Sequence, residues 1–423
     1  MSILKKDKEF VWHPFTHLKS ATDNICIEKA EGSYYYDDKG NKIIDAISSW
    51  WVNLHGHSHP YINKKISEQL QKFEHTIFSG FTHKPAVELA ERLLKHLPNN
   101  LGKVFYSDNG STAVEVALKM TLQYWHNKNE ERTVFIAFEN AYHGDTFGSM
   151  SVGERNVFNN AFDKLLFDVI HVGLPDEKNI DFIKEQLNRL FQNHKIAGFI
   201  FEPLVQGAAG MKMYEAKYLD EIIELCKQNK VITIADEVMT GFGRTGKFFA
   251  SDYLNNQPDI ICLSKGLTGG YFPLGVTACA NFIYEAFISE DKTKTFFHGH
   301  SYTANPTTCT AALASLDLME EDNTFKNIER INKQHLNFLS KIKNHKTLND
   351  VRVCGTIIAF EIYTVEESHY LNMASEKIAD YFIKKNILLR PLGNVFYLIP
   401  PYCINENDLE YIYSEIESFL NSQ

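Results

Sequence analysis

The chain has 423 residues, 44% of them hydrophobic, and a formal net charge of −10. That length predicts two or three domains with ample material for a core. The acidic balance excludes a general affinity for nucleic acid, and no apolar run approaches the roughly 18 residues that a membrane span requires.

The opening stretch, MSILKKDKEFVWHPF, has no apolar core followed by a small-residue cleavage site, so no secretory signal and a cytoplasmic location are expected. Seven scattered cysteines without a C-x-x-C pair fit a reducing compartment better than a disulfide framework. GSYYYDDKGNKIIDA (32–46) reads as a hairpin turning at Asp-Asp-Lys-Gly-Asn. Five short apolar runs follow, at 103–107, 133–138, 197–202, 231–236 and 259–264. They are rich in Val, Ile and Phe and show no polar alternation, as strands covered on both faces do. Amphipathic stretches lie between them. In 111–125, Ala113, Val116, Ala117, Met120 and Tyr124 share one helical face, and 218–230 repeats the pattern. Strand and helix in alternation predict a mostly parallel α/β sheet.

Ligands of such sheets gather beyond the carboxyl ends of the strands. The residues there are Asp108 to Ser111, Glu139 to His143, Glu202-Pro203, Asp236-Glu237 and Ser264 to Gly266. Next along the chain, TGFGRTGKFF (240–249) overlays two phosphate motifs, G-x-G-x-x-G and most of G-x-x-x-x-G-K-[ST]. Phe248 stands where the second motif needs a hydroxyl for Mg²⁺, and no helix opens from the loop as the first requires. It reads instead as a glycine-rich turn near the mouth of a site, with Arg244 facing a substrate or a partner subunit. The last hundred residues carry two further strand-like runs, 351–363 and 394–401, which predict a smaller α+β unit that the N-terminal hairpin joins. The expected division is an N-terminal segment 1–50, a large domain 51–320 and a C-terminal domain 321–423.

Two strand ends carry the chemistry. Asp236 ends VITIAD and Lys265 follows DIICLS. A lysine buried at such a rim has its pKa lowered by desolvation and becomes a usable nucleophile. A lysine Schiff base with an aspartate against a pyridinium nitrogen is what pyridoxal phosphate needs. Gly110 and Ser111 begin a helix straight after a strand, which suits either an anion or an ordinary N-cap. Tyr142 is either a flat platform over a ring or a packed core residue. The spacings His55-x-His57-x-His59 and His298-x-His300 raise a metal-dependent hydrolase as the rival class, without a compelling fourth ligand.

Taken together, ADEVMTGFGRTGKFFA (235–250) and LSKGLTGG (263–270) make the chain resemble the pyridoxal-phosphate aminotransferases of subgroup III, the omega-aminotransferases. WHPFT (12–16), SSWWVNLHGH (48–57) and NVFYLIPPY (394–402) are similar to the branch that aminates a keto acid of biotin biosynthesis, so the likeness spans nearly the whole chain. It implies aminotransferase fold type I: a large domain with a mostly parallel seven-stranded sheet between helices, and a smaller α+β domain drawn from both termini. It implies pyridoxal 5′-phosphate as cofactor, no metal, small-molecule substrates, and a homodimer with active sites at the interface. Lys265 would carry the cofactor and move protons, and Asp236 would face the pyridine nitrogen. Gly110 and Ser111 would hold the phosphate, with Ser301 adding a hydroxyl across the dimer interface and Gly299 and His300 beside it. Tyr142 would lie by cofactor and substrate, and Glu202 would help organise the site. Phe15 and Trp50 would line the acceptor's channel, Arg390 would hold its carboxylate, and Asp145 would favour the donor's ammonium group. The expected donor is S-adenosyl-L-methionine. Lysine in that role, or another omega-amino acid as substrate, is the alternative. Two positions depart from the familiar pattern: Phe15 replaces a tyrosine, and His300 replaces a proline.

Overall fold

The computed structural model describes residues 1–19, 23–364 and 371–423. A seven-stranded sheet forms its centre. In spatial order the strands are Leu101–Ser107, Gly275–Ala280, Ile260–Leu263, Ile232–Asp236, Ile196–Phe201, Val134–Phe138 and Val169–Val172. Gly275–Ala280 runs antiparallel to both neighbours, and every other pairing is parallel. Two of these strands, Val169–Val172 and Gly275–Ala280, were not among the five runs read from the sequence. Gly275–Ala280 is buried throughout, but its Val276 and Thr277 are diluted by Gly275, Ala278, Cys279 and Ala280, so it lacks the run of Val, Ile and Phe that marked the others.

The three inner parallel strands, Ile196–Phe201, Ile232–Asp236 and Ile260–Leu263, are buried at every residue. Strand side chains alternate between faces, and the two cores follow that alternation. Ile136, Phe138, Phe199 and Phe201 belong to one apolar cluster, while Phe135, Ala137, Ala197 and Ile200 belong to the other. The helix Gly110–Asn127 covers the second face with Ala113, Val116, Ala117 and Met120. The helix Ala216–Gln228 covers the first with Leu219, Ile222, Ile223 and Cys226.

The two ends of the chain share a second sheet. Tyr34–Asp37 and Lys42–Asp45 pair as the expected antiparallel hairpin, whose turn Asp37 ties down by accepting from the Lys39 and Asn41 backbone amides. Ile387–Leu388 then adds in parallel to Lys42–Asp45. The run 351–363 is two strands rather than one, Leu348–Cys354 and Ile357–Ile362, folded back at Gly355. Gly355 has φ +56, and a Cβ there would come within 2.3 Å of the Thr245 backbone, so this turn presses on the glycine-rich loop. Among the described residues no helix is long and apolar enough to cross a membrane.

Candidate active site

Ile232–Asp236 and Ile260–Leu263 are adjacent parallel strands, with Asp236 opposite Cys262. Their carboxyl ends therefore bring Asp236 and Lys265 to one rim. A cavity of about 430 Å³ opens there, lined among others by Trp51, Gly110, Ser111, Tyr142, Asp236 and Lys265.

Several of its polar groups are held by hydrogen bonds. Asp236 is 5% exposed. Its Oδ2 lies 2.7 Å from His143 Nδ1, and Oδ1 accepts from the Val238 amide at 3.1 Å. Lys265 begins a short 3-10 turn, Lys265–Thr268, with φ +43, a strained backbone for a residue with a Cβ. Burial lowers its pKa, the carboxylates of Asp236 and Glu202 oppose that, and the Arg244 charge adds to it. Glu202 is 6% exposed and accepts from the amides of Tyr142 and Gly207. Burial, with the Asp236 charge adding to it, pushes its pKa up to about 7.

The helix Gly110–Asn127 points its N-terminus into the same cavity. Its cap is Asn109, whose Oδ1 accepts from Thr112 N while Thr112 Oγ1 accepts from Asn109 N. Ser111 is thus free of capping duty, and its hydroxyl accepts from the Asp145 amide at 3.3 Å. A Cβ on Gly110 would lie 2.8 Å from Val238, and one on Gly144 would lie 2.1 Å from Ser111 Oγ. Both glycines keep this cradle open. Burial and then the neighbouring Asp145 carboxylate hold the Tyr142 phenol in its neutral form.

Beside the cavity stands an aromatic and cationic group. The Arg390 guanidinium lies 4.1 Å over the Trp50 ring, and Phe15 meets Trp50 edge-on at 5.6 Å. Among the described residues no acidic side chain pairs with Arg390. Asp145 is exposed at the rim. Gly299, His300 and Ser301 do not line the cavity of their own chain. His300 Nδ1 lies 3.6 Å from Asp108, and the Ser301 carbonyl accepts from His75.

Arg244 does not face a substrate or a partner. It is 1% exposed. Its Nη1 donates to the Pro400 carbonyl at 3.0 Å and its Nη2 to the Asn53 carbonyl at 2.9 Å, with the guanidinium 5.0 Å from the Tyr402 ring. The loop around it is anchored by Glu237, which accepts from Thr240, Ala250 and Ser251. The glycine-rich stretch is therefore a structural clasp. Of the histidines of the rival metal reading, His55 meets Ser315 and His57 meets Asp45, while His298 and His300 bring their Nε2 atoms within 3.2 Å of each other. Among the described residues no group of three or more His, Cys, Asp or Glu side chains could hold a metal ion.

Two residues that sequence reasoning passed over belong to the site. His143 buttresses Asp236, and its place right after the strand Val134–Phe138, in the polar rim, was the available signal. Tyr397 accepts a hydrogen bond from Trp51 Nε1 at 2.9 Å, and nothing local in the chain announces it.

These groups fit pyridoxal phosphate: an amine to carry it, a buttressed carboxylate for the pyridine nitrogen, and a glycine-opened helix N-terminus for the phosphate. Comparison with known proteins agrees. The family model for class-III aminotransferases matches residues 17–420. The chain is 45% identical to the adenosylmethionine-8-amino-7-oxononanoate aminotransferase of Synechococcus elongatus, over 97% of this chain and 98% of that one. Among solved structures, the enzyme of that name from Methanocaldococcus jannaschii superposes with a TM-score of 0.94 at 38% identity, covering 99% of this chain and 98% of the other. A PLP-bound amine transaminase from an uncultivated Pseudomonas species gives 0.90 at 31% identity, covering 96% and 97%.

Proposed function

The chain belongs to the class-III aminotransferases and depends on pyridoxal phosphate, and from that premise we propose that it converts 8-amino-7-oxononanoate to 7,8-diaminononanoate in biotin biosynthesis. The relatives' names carry this acceptor and name adenosylmethionine as its partner. We take adenosylmethionine as the amino donor.

When bound, the cofactor supplies an electron sink for the carbon that loses its proton. The protein does the rest. Asp236, held by His143 and the Val238 amide, would present its carboxylate to the pyridine nitrogen. Lys265, its amine made less basic by burial, would act as the base and acid that moves the donor carbon's proton. Gly110 and Ser111 at the helix N-terminus anchor the phosphate, and Asp145 at the rim favours a cationic donor. Phe15 and Trp50 form an apolar wall that ends in Arg390, whose planar fork suits a carboxylate. The observation that carries the acceptor is this Arg390: half-buried, stacked on Trp50, and without an acidic partner among the described residues. In the working enzyme, two copies of the chain pair so that Gly299, His300 and Ser301 of each complete the phosphate site of the other.

The deciding experiment offers the purified protein 8-amino-7-oxononanoate with adenosylmethionine or with lysine. Diaminononanoate formed with adenosylmethionine is expected. Formation only with lysine would correct the donor, and formation with neither would overturn the acceptor assignment.

A further inference from the structure

The Lys265 amine finds no hydrogen-bond acceptor among the described residues. What it meets is an aromatic face: Nζ lies 4.6 Å from the centre of the Trp51 ring. That ring is fixed from several directions. Its Nε1 donates to Tyr397 Oη, and the two rings meet edge-on at 6.0 Å. Gly207 closes against its other edge, where a Cβ would stand 3.2 Å from Cζ3. The backbone is held as firmly. Ser48, Ser49 and Trp51 all have positive φ, at 53°, 62° and 66°. Non-glycine residues rarely adopt this conformation, and three within four residues persist only where surrounding bonds impose them. Here the Asp45 carboxylate accepts from the amides of Ile47 and Ser49 and pairs with His57, while Ser48 Oγ donates to the Ile399 carbonyl. Strained backbone, a clamped indole and an amine over its face coincide at one point.

We propose that Trp51, clamped by Tyr397, is the positioning residue of the reacting amine: its indole face is the platform on which the Lys265 ammonium rests whenever the amine is not bonded to the cofactor. The inference rests on Lys265 being the cofactor lysine. A cation over an indole is attracted by the ring's negative face, and desolvation strengthens that attraction. Asp236, Glu202 and Arg244 are the other charged groups that act on the amine, two attractive and one repulsive. They draw it toward the cavity or away from the clasp, whereas the indole holds it in one place, close to where its next proton transfer occurs.

Fluorination tests this without changing packing. Tryptophan with one, two and three fluorines is placed at position 51 of the full-length chain. Each fluorine weakens the ring's negative face at nearly constant volume. The readout is the pH dependence of the rate at which cofactor-free protein reacts with pyridoxal phosphate, followed by visible absorbance. The midpoint is expected to fall stepwise, to about a tenfold change in the amine's protonation equilibrium across the series. Tyr397→Phe, which frees the indole, is expected to shift it in the same direction by less. A midpoint unmoved by fluorination would overturn the proposal, leaving the indole as packing alone. A Lys265→Ala protein that develops the same absorbance would instead overturn the reading beneath it.

Discussion

Asp236 Oδ2 lies 2.7 Å from His143 Nδ1, and the other nitrogen of that imidazole is buried without a hydrogen-bond partner among the described residues. A buried carboxylate held by one side chain and one amide has little redundancy. Removing a hydrogen bond to a charged group costs roughly 1.5–3 kcal/mol. His143→Ala is therefore expected to weaken pyridoxal phosphate binding by about ten- to a hundredfold. His143→Asn, which still offers a donor, is expected to recover part of that. Spectrophotometric titration of the cofactor-free proteins checks both, and equal affinities would remove His143 from the site.

Arg390 is assigned to the acceptor's carboxylate. Arg390→Leu is expected to raise KM for 8-amino-7-oxononanoate by about ten- to a hundredfold, the value of a charge-assisted pair. The donor half-reaction, measured as single-turnover bleaching of the cofactor absorbance, is expected to change far less. An effect on the donor step alone would move Arg390 to the other substrate.

Arg244 holds the carbonyls of Pro400 and Asn53 together. Arg244→Met keeps much of the volume but leaves those acceptors buried and unpaired, at roughly 1–3 kcal/mol each. Urea unfolding of the cofactor-free protein is expected to show a loss of about 3 kcal/mol. Turnover is expected to fall with it, since Nη2 also reaches the Trp51 carbonyl at 3.5 Å. Unchanged stability with a raised KM would return Arg244 to a substrate-facing role.

Glu202 gives a stability signal with a definite sign. Its carboxyl titrates at about 7 in the folded protein against 4.5 for the free group. Well below pH 4.5 the group is protonated in both states and costs nothing. As the pH rises to 7 the unfolded chain ionises first, so the folded state loses ground, by about 3 kcal/mol in full. Glu202→Gln removes this dependence. The wild-type-minus-variant difference in unfolding free energy is expected to fall by about that amount between pH 4.5 and 7. A flat difference would show that Glu202 ionises normally.

Much of this was legible in the chain because it is local. Five apolar runs predicted strands of the sheet, four of them inside it and Leu101–Ser107 at its edge, and polar residues straight after them marked the rim. Asp236 and Lys265 end consecutive runs that pair side by side, so their meeting followed from order along the chain. The strand Gly275–Ala280 was missed because Gly, Ala and Cys, which fit its crowded position between two neighbours, dilute the β propensity of Val276 and Thr277.

Sequence alone therefore determined the α/β class and that Lys265, Asp236 and a helix N-terminus stand at strand ends of one rim, since periodicity and strand-end position are properties of neighbouring residues. It also carried the resemblance to the aminotransferases. What only the tertiary structure decided is how those groups are held. Trp51 and Tyr397 stand 346 positions apart, Asp236 and His143 93 apart, and Arg244 and Pro400 156 apart. The glycine-rich loop became a buried clasp rather than a ligand loop because its arginine meets carbonyls from distant segments, Asn53 and Pro400. Burial makes such contacts decisive, for an unpartnered polar group is expensive only once water is gone, and no stretch of sequence states which distant segments will exclude it.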